Sequence, residues 1–125
     1  MAGFLLWKTL SMPNFPKRIL KEIRDYLRSD TTRELCGLIF LYEDFHFLPI
    51  SNAIDSDGMF SLPPQSYLLR KKIAAAVHSH PCSDAFPSPA DKSSSRSSGI
   101  PFLIYSCLYD NFLYFDKGKC NPIKV

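Results

Sequence analysis

No run of apolar residues in this sequence approaches the eighteen or so needed to cross a bilayer, so no membrane span is expected. The apolar stretch Phe4-Leu-Leu-Trp7 is too short for the core of a secretory signal, and no basic segment precedes it. The cysteines are few and scattered. Cys36, Cys82, Cys107 and Cys120 include no C-x-x-C pair, and the expectation is free thiols in a reducing cytoplasm. A dense basic footprint is also missing: the formal net charge is +3 and the basic residues are spread along the chain, with Lys17–Arg28 and Arg70–Lys72 as two of their segments, which argues against nucleic acid as a partner. That charge is compatible with an acidic partner. There are no internal repeats.

What the chain does have is enough apolar material for a core. With 125 residues, 46% of them hydrophobic, ten Phe and six Tyr, it suits one domain that buries roughly two thirds of its unfolded surface. Residues 1–12 read as an apolar N-terminal extension and 13–125 as the domain. From Pro16 to Asp30, Ile19, Leu20, Ile23, Tyr26 and Leu27 recur at helical spacing, with basic residues opposite. Cys36–Tyr42 is an apolar run of strand length, and Phe45–Ile50 returns after a turn at Glu43-Asp44. A short strand at Phe60–Leu62 and a helix from Pro63 to about Lys72 follow. Ile73–His80 is the next strand, with Ile73, Ala75 and Val77 on one face and Ala74, Ala76, His78 and His80 on the other. Ser88–Ser98 starts like a helix but is rich in serine, a poor helix former. Phe102–Tyr109 and Phe112–Phe115 form a final hairpin about Asp110-Asn111. The expected fold is α/β: a single mixed β-sheet with flanking helices.

The chemically informative stretch begins at His78-Ser79-His80. Two histidines at i and i+2 of a strand point to the same side, where both imidazoles can reach one ion. Asp91, returned by the following loop, would complete a set of two His and one carboxylate. That set leaves one position of a tetrahedral zinc open, the catalytic rather than the structural arrangement. Hydrolysis there needs a general base and a donor to the oxyanion that develops on the scissile carbonyl. Glu34, at the polar start of a buried strand, suits the first role, and Ser88, three residues before Asp91, suits the second.

Each of these residues also has an ordinary reading. A His-x-His pair often belongs to a plain strand. Ser88-Pro-Ala-Asp91 is what a helix N-terminus prefers, and a cap can coexist with a ligand role for Asp91. Glu34 alone suits a surface carboxylate. His46 reads as an ordinary residue between two phenylalanines. Cys82 is a soft ligand or a nucleophile on its residue type, but no separately oriented base is evident for it.

Together the five positions resemble the JAB/MPN (JAMM) metallopeptidase family, in its minimal prokaryotic and phage form. The family's signature is a Glu, then His-Ser/Thr-His, seven residues, Ser, two residues and Asp. Here it reads Glu34, His78-Ser79-His80, Pro81 to Pro87, Ser88, Pro89-Ala90 and Asp91. Glu34-Leu-Cys-Gly-Leu-Ile39 resembles the family's glutamate strand, and Ser98-Gly-Ile-Pro-Phe-Leu-Ile104 the strand after its metal helix. The likeness runs from about residue 13 to 116. Cys82 stands near a position where the family usually has glycine, and the Ser93–Ser98 run is a second departure.

The resemblance implies an MPN/cytidine-deaminase-like architecture and a zinc-dependent hydrolase. Its catalytic residues would be Glu34 and Ser88, and its metal ligands His78, His80 and Asp91. The implied substrate is a peptide or isopeptide bond at the C-terminal tail of a ubiquitin-like protein. A bacterial ubiquitin-like conjugation or antiphage system is the implied setting, without a fixed oligomeric state. A tail-assembly peptidase similar to phage tail protein K and a non-catalytic MPN scaffold are the alternatives. The former pairs this domain with a cell-wall peptidase domain, and the latter has usually lost ligands.

Overall fold

In the computed structural model of the chain, residues 13–50 and 72–123 are described. The extension at 1–12, the strand expected at Phe60–Leu62 and the helix expected from Pro63 to about Lys72, save its last residue, lie outside them.

The first helix, α1 (Lys17–Leu27), buries Ile19, Leu20, Ile23 and Leu27, none more than 3% exposed. This is the stripe the spacing predicts, and each such side chain contributes roughly 1.5–3 kcal/mol on burial. The helix is shorter than the expected Pro16–Asp30. Its last turn tightens as Ser29 N–H donates to Tyr26 O at 3.0 Å. Asp30 then accepts the Thr32 N–H at 2.9 Å, a side-chain turn that competes with another helical turn.

Six strands form one sheet: β1 (Cys36–Tyr42), β2 (Asp44–Ile50), β3 (Ile73–His80), β4 (Phe102–Ser106), β5 (Asn111–Asp116) and β6 (Lys119–Ile123), in the spatial order β2-β1-β3-β4-β5-β6. All neighbours are antiparallel except β3 and β4, which run parallel and are joined through the second helix, α2 (Pro89–Ser98). The mixed sheet with helices packed against it is the architecture expected. One core, with α1, gathers Ile39, Val77, Leu103 and Tyr105; the other gathers Leu38, Ala76, Phe102, Ile104 and Phe115.

Three expectations need correction. The face assignment of β3 fails at its start, because Ile39 pairs with Ala75 and Phe40 with Ile73, leaving Ala74 as the extra residue of a bulge. Ala74 therefore joins the α1 core, while Ile73 packs against the opposite one. The strand expected over Phe102–Tyr109 ends at Ser106, whose carbonyl accepts the Asp110 N–H at 2.8 Å and closes a turn. And the hairpin does not end the sheet: β6 pairs along β5, from Asp116↔Lys119 to Phe112↔Ile123. Its polar composition and Pro122 hide it, yet proline is tolerated at a sheet edge, where one row of backbone donors has no neighbour.

The helix over the serine-rich segment does form. Ser95 Oγ donates to Ile100 O at 2.8 Å, and Gly99, at φ +70°, ends the helix in the left-handed conformation that glycine adopts without strain.

Candidate metal centre

The strand β3 delivers both histidines to one side at its C-terminal end. Alternation returns after the bulge, so His78 and His80 share the face of Ala76, and their ring centroids lie 5.2 Å apart. Two neighbours hold this end of the strand. Ser79 N–H donates to Leu35 O at 3.0 Å while Ser79 Oγ accepts the Leu35 N–H at 2.9 Å. On the other side, Cys107 N–H donates to His80 O at 3.1 Å, and Ser106 Oγ donates to Ser83 O at 2.7 Å. The middle serine of the His-Ser-His triplet thus locks β1 to β3, and Leu35 is fixed beside the histidine pair with Glu34 next to it.

Asp91 enters from the first turn of α2. Ser88 caps that helix: its Oγ accepts the Asp91 N–H at 3.1 Å, and Asp91 Oδ2 accepts the Ser88 N–H at 2.9 Å. With Pro89 in the first turn, this capping box sets the carboxylate against the histidines. Asp91 Oδ1 lies 3.0 Å from His78 Nε2, and Asp91 Oδ2 lies 3.1 Å from His80 Nε2. The ligand atoms of the three residues all fall within 4.8 Å of one another, and all three residues are buried.

Whether a metal fits this cluster is decided by His78. Its side chain is 1% exposed, yet neither ring nitrogen makes a hydrogen bond among the described residues. The 3.0 Å approach of Nε2 to Asp91 is close in distance but wrong in direction for one. A buried polar atom left unsatisfied costs about 1–3 kcal/mol, and coordination to a cation removes that cost. Phe102, edge-on at 5.3 Å, holds the ring in place. The nitrogen-to-oxygen separations are of the order of the roughly 3.3 Å edge of a tetrahedron around zinc, whose ligands lie at about 2.0–2.1 Å. The donor set, two imidazoles and one carboxylate, fits a divalent transition metal such as zinc.

The electrostatics agree. Burial pushes the Asp91 carboxyl up, but the imidazoles of His78 and His80 and the Ser88 N–H outweigh it and hold the group well below the usual carboxylate range. Burial pushes His80 down, but the Asp91 carboxylate, the Asp84 carbonyl and the nearby charge of Glu34 raise it overall. The site draws positive charge.

Of the five residues singled out in the sequence, the structure brings His78, His80 and Asp91 together, with Ser88 as the cap of the helix carrying Asp91. Glu34 is half-buried, and its charge reaches His80. His46 is elsewhere, exposed on β2, with its ring stacked on Phe40 at 5.2 Å. Cys82 is exposed on the loop after His80 as a free thiol. Sequence reasoning missed the Asp84 carbonyl, which accepts from His80 Nδ1 at 2.7 Å. A backbone acceptor leaves no residue-type signal.

A mixed sheet thus carries two histidines on one strand and a carboxylate on the next helix, a cluster able to hold a metal ion in an α/β domain. The sequence profile of the prokaryotic homologs of the JAB domain matches residues 16–115, and the chain belongs to that family. No curated protein matches it. Among solved structures, the chain is similar to a protein from Desulfitobacterium hafniense with a TM-score of 0.60 and 24% identity, over 88% of each chain. A JAB1/MPN domain protein from Archaeoglobus fulgidus gives 0.59 at 21% identity, over 86% of this chain and 91% of the other. A third, described as a JAMM metalloprotease-like zinc site in the proteasome and signalosome, gives 0.56 at 19% identity, over 87% and 90%. At these identities the likeness speaks for the fold.

Proposed function

We propose that this chain is a zinc-dependent peptidase that hydrolyses a peptide or isopeptide bond at the C-terminal tail of a ubiquitin-like protein. The observation that carries the reading is His78, whose buried nitrogens lack hydrogen-bond partners among the described residues while Nε2 faces a carboxylate shared with His80.

His78, His80 and Asp91 would hold the zinc. When bound, zinc supplies Lewis-acid polarisation of the scissile carbonyl and lowers the pKa of the attacking water. The remaining work falls to this chain's other groups. Glu34 takes a proton from the water and returns it to the leaving amine, a role supported by its place beside His80. Ser88 uses its Oγ lone pair to cap α2, so its O–H hydrogen stays free to donate to the oxyanion. The cap and the catalytic donor are the same atom used in two directions.

An extended tail is the favoured substrate, because strand-like pairing offers regular backbone hydrogen bonds that hold a peptide across the site. The reading is tested with a ubiquitin-like protein carrying a C-terminal extension, or joined to a target by an isopeptide bond. Cleavage directly after the ubiquitin-like domain, stopped by chelator and restored by zinc, is the expected result. A folded, zinc-loaded protein that cuts no such fusion overturns the substrate assignment and favours the phage tail-assembly type.

A further inference from the structure

Three cations converge on a groove behind the metal helix. A cavity of about 560 Å³ lies between α2 and the β5–β6 turn, lined by Lys92, Arg96, Phe115, Asp116, Lys117 and Gly118 among others. Lys92, Arg96 and Lys117 are exposed, and none of them makes an ion pair among the described residues. Asp116, the one acid in the lining, stands in salt-bridge contact with none of them.

Lys92 and Lys117 sit where local physics disfavours them, while Arg96, in the last turn of α2, is favoured there by the helix dipole. Lys92 and Arg96 are four residues apart on one helix, so their side chains are neighbours and repel. No acid of α2 offsets them, because its single acidic residue, Asp91, is committed to the histidines. Lys117 takes φ +50° and Gly118 φ +79° in the two-residue turn joining β5 to β6. Turns with both central residues at positive φ favour Asn-Gly or Asp-Gly, and a lysine there is strained. Local choices that oppose stability and converge on one cavity mark a functional surface.

We propose that this groove is a docking site for an acidic peptide segment of a protein partner, separate from the metal centre but built on the same helix. The spread of charge argues for a chain. Two cations lie one helical turn apart and the third faces them from the hairpin, which suits carboxylates spaced along a peptide better than one compact anion. Phe115, buried at the base, gives such a segment an apolar floor. The groove's occupant need not be the molecule that is cut.

The test is an amide-resonance titration of the full chain with a hexaglutamate peptide at low salt, and separately with inorganic phosphate. Saturable shifts confined to Lys92, Arg96, Lys117 and Gly118 and their neighbours are expected, weakening several-fold as salt screens the charges. Neutralisation by Lys92→Gln with Arg96→Gln should weaken peptide binding at least about tenfold without unfolding the helix, as two charge contacts are lost. Lys117→Gly gives a paired signature. It should raise Tm by a few degrees by relieving the turn and at the same time weaken the peptide. Absence of localised shifts, affinity unchanged in the double variant, or phosphate binding as tightly as the peptide each overturns the proposal. The titration involves no cleavage, so its failure leaves the peptidase reading standing, and a failure of cleavage leaves this one standing.

Discussion

His80 donates its Nδ1–H to the Asp84 carbonyl at 2.7 Å, and that bond decides which of its nitrogens can hold a metal. With the proton fixed on Nδ1, the lone pair is on Nε2, the atom 3.1 Å from Asp91. Carbonyls behind ligating histidines set tautomer and ring direction in this way, and the loop after β3 is therefore part of the site. Asp84 is itself held, since its Oδ1 accepts the Phe86 N–H at 3.1 Å.

Metal content is the first consequence. The purified protein, prepared without chelator, is expected to hold close to one zinc per chain by elemental analysis. His80→Ala should lose most of it, because one ligand and the fixed tautomer go together. Zinc retained when His78, His80 and Asp91 are all replaced would remove the cluster from consideration.

Glu34 should separate binding from chemistry. Glu34→Ala is expected to keep both zinc and fold while activity drops at least about 10²-fold, because a base contributes in the transition state and not as a ligand. Loss of zinc in this variant would reassign Glu34 to the ligand set.

The cap and the proposed oxyanion role of Ser88 respond differently to substitution. Ser88→Ala should lower kcat by roughly 10²–10³-fold with little change in KM if the hydroxyl meets the oxyanion. It should also cost about 1 kcal/mol of stability through the lost cap. Ser88→Thr retains both cap and hydroxyl and should recover most of the activity. A variant that loses stability alone leaves the cap as the whole role of Ser88.

The parts of this structure that were legible in the sequence are those where side-chain type and backbone period coincide. The α1 stripe is visible because Ile19, Leu20, Ile23 and Leu27 alternate with charges at helical spacing. The histidine pair is visible because a strand's period of two places His78 and His80 together. Ser88, Pro89, Asp91 and Gly99 announce a helix whose interior serines argue against one. The bulge at Ala74 was not legible, because Ile73-Ala-Ala-Ala-Val is apolar throughout and a slipped face leaves no polar residue on the wrong side. Edge strand β6 was masked by Pro122, and the Asp84 carbonyl is a property of backbone position alone.

Gly37 is fixed by close approach between strands. A Cβ at this position would lie 2.6 Å from the Leu48 carbonyl oxygen and 2.6 Å from Phe47 Cε1. The Phe47 ring can shift, but the carbonyl belongs to the β1–β2 ladder and moves only with the strand. Gly37→Ala is expected to cost roughly 1–3 kcal/mol, read as a lower urea midpoint with an unchanged slope. Wild-type stability in this variant would mean that the β1–β2 ladder admits a methyl group without loss of packing.

Asp110 ties the β4–β5 turn to α1, and its charge gives the fold a pH dependence. Arg24 grips it with two bonds, Nε to Oδ1 at 2.7 Å and Nη2 to Oδ2 at 2.8 Å. The Tyr105 hydroxyl also donates to it, and Arg28 reaches the same hydroxyl at 3.1 Å. Hydrogen bonding from Arg24 and Tyr105 holds the Asp110 carboxyl well below the usual carboxylate range. A carboxyl depressed in the folded state stabilises the fold above its unfolded pKa, about 3.9. That contribution is lost as pH falls through the folded value. The Asp110 side chain is 44% exposed, so solvent screening keeps the effect modest. Asp110→Asn removes the charge and one acceptor oxygen but leaves the turn intact, because asparagine tolerates the positive φ of +53° found there. Its Tm should lie a few degrees below wild type at neutral pH, and the gap should close as pH is lowered below about 4. A gap of constant size down to low pH would show that the turn geometry, and not the ionised carboxylate, joins Asp110 to α1.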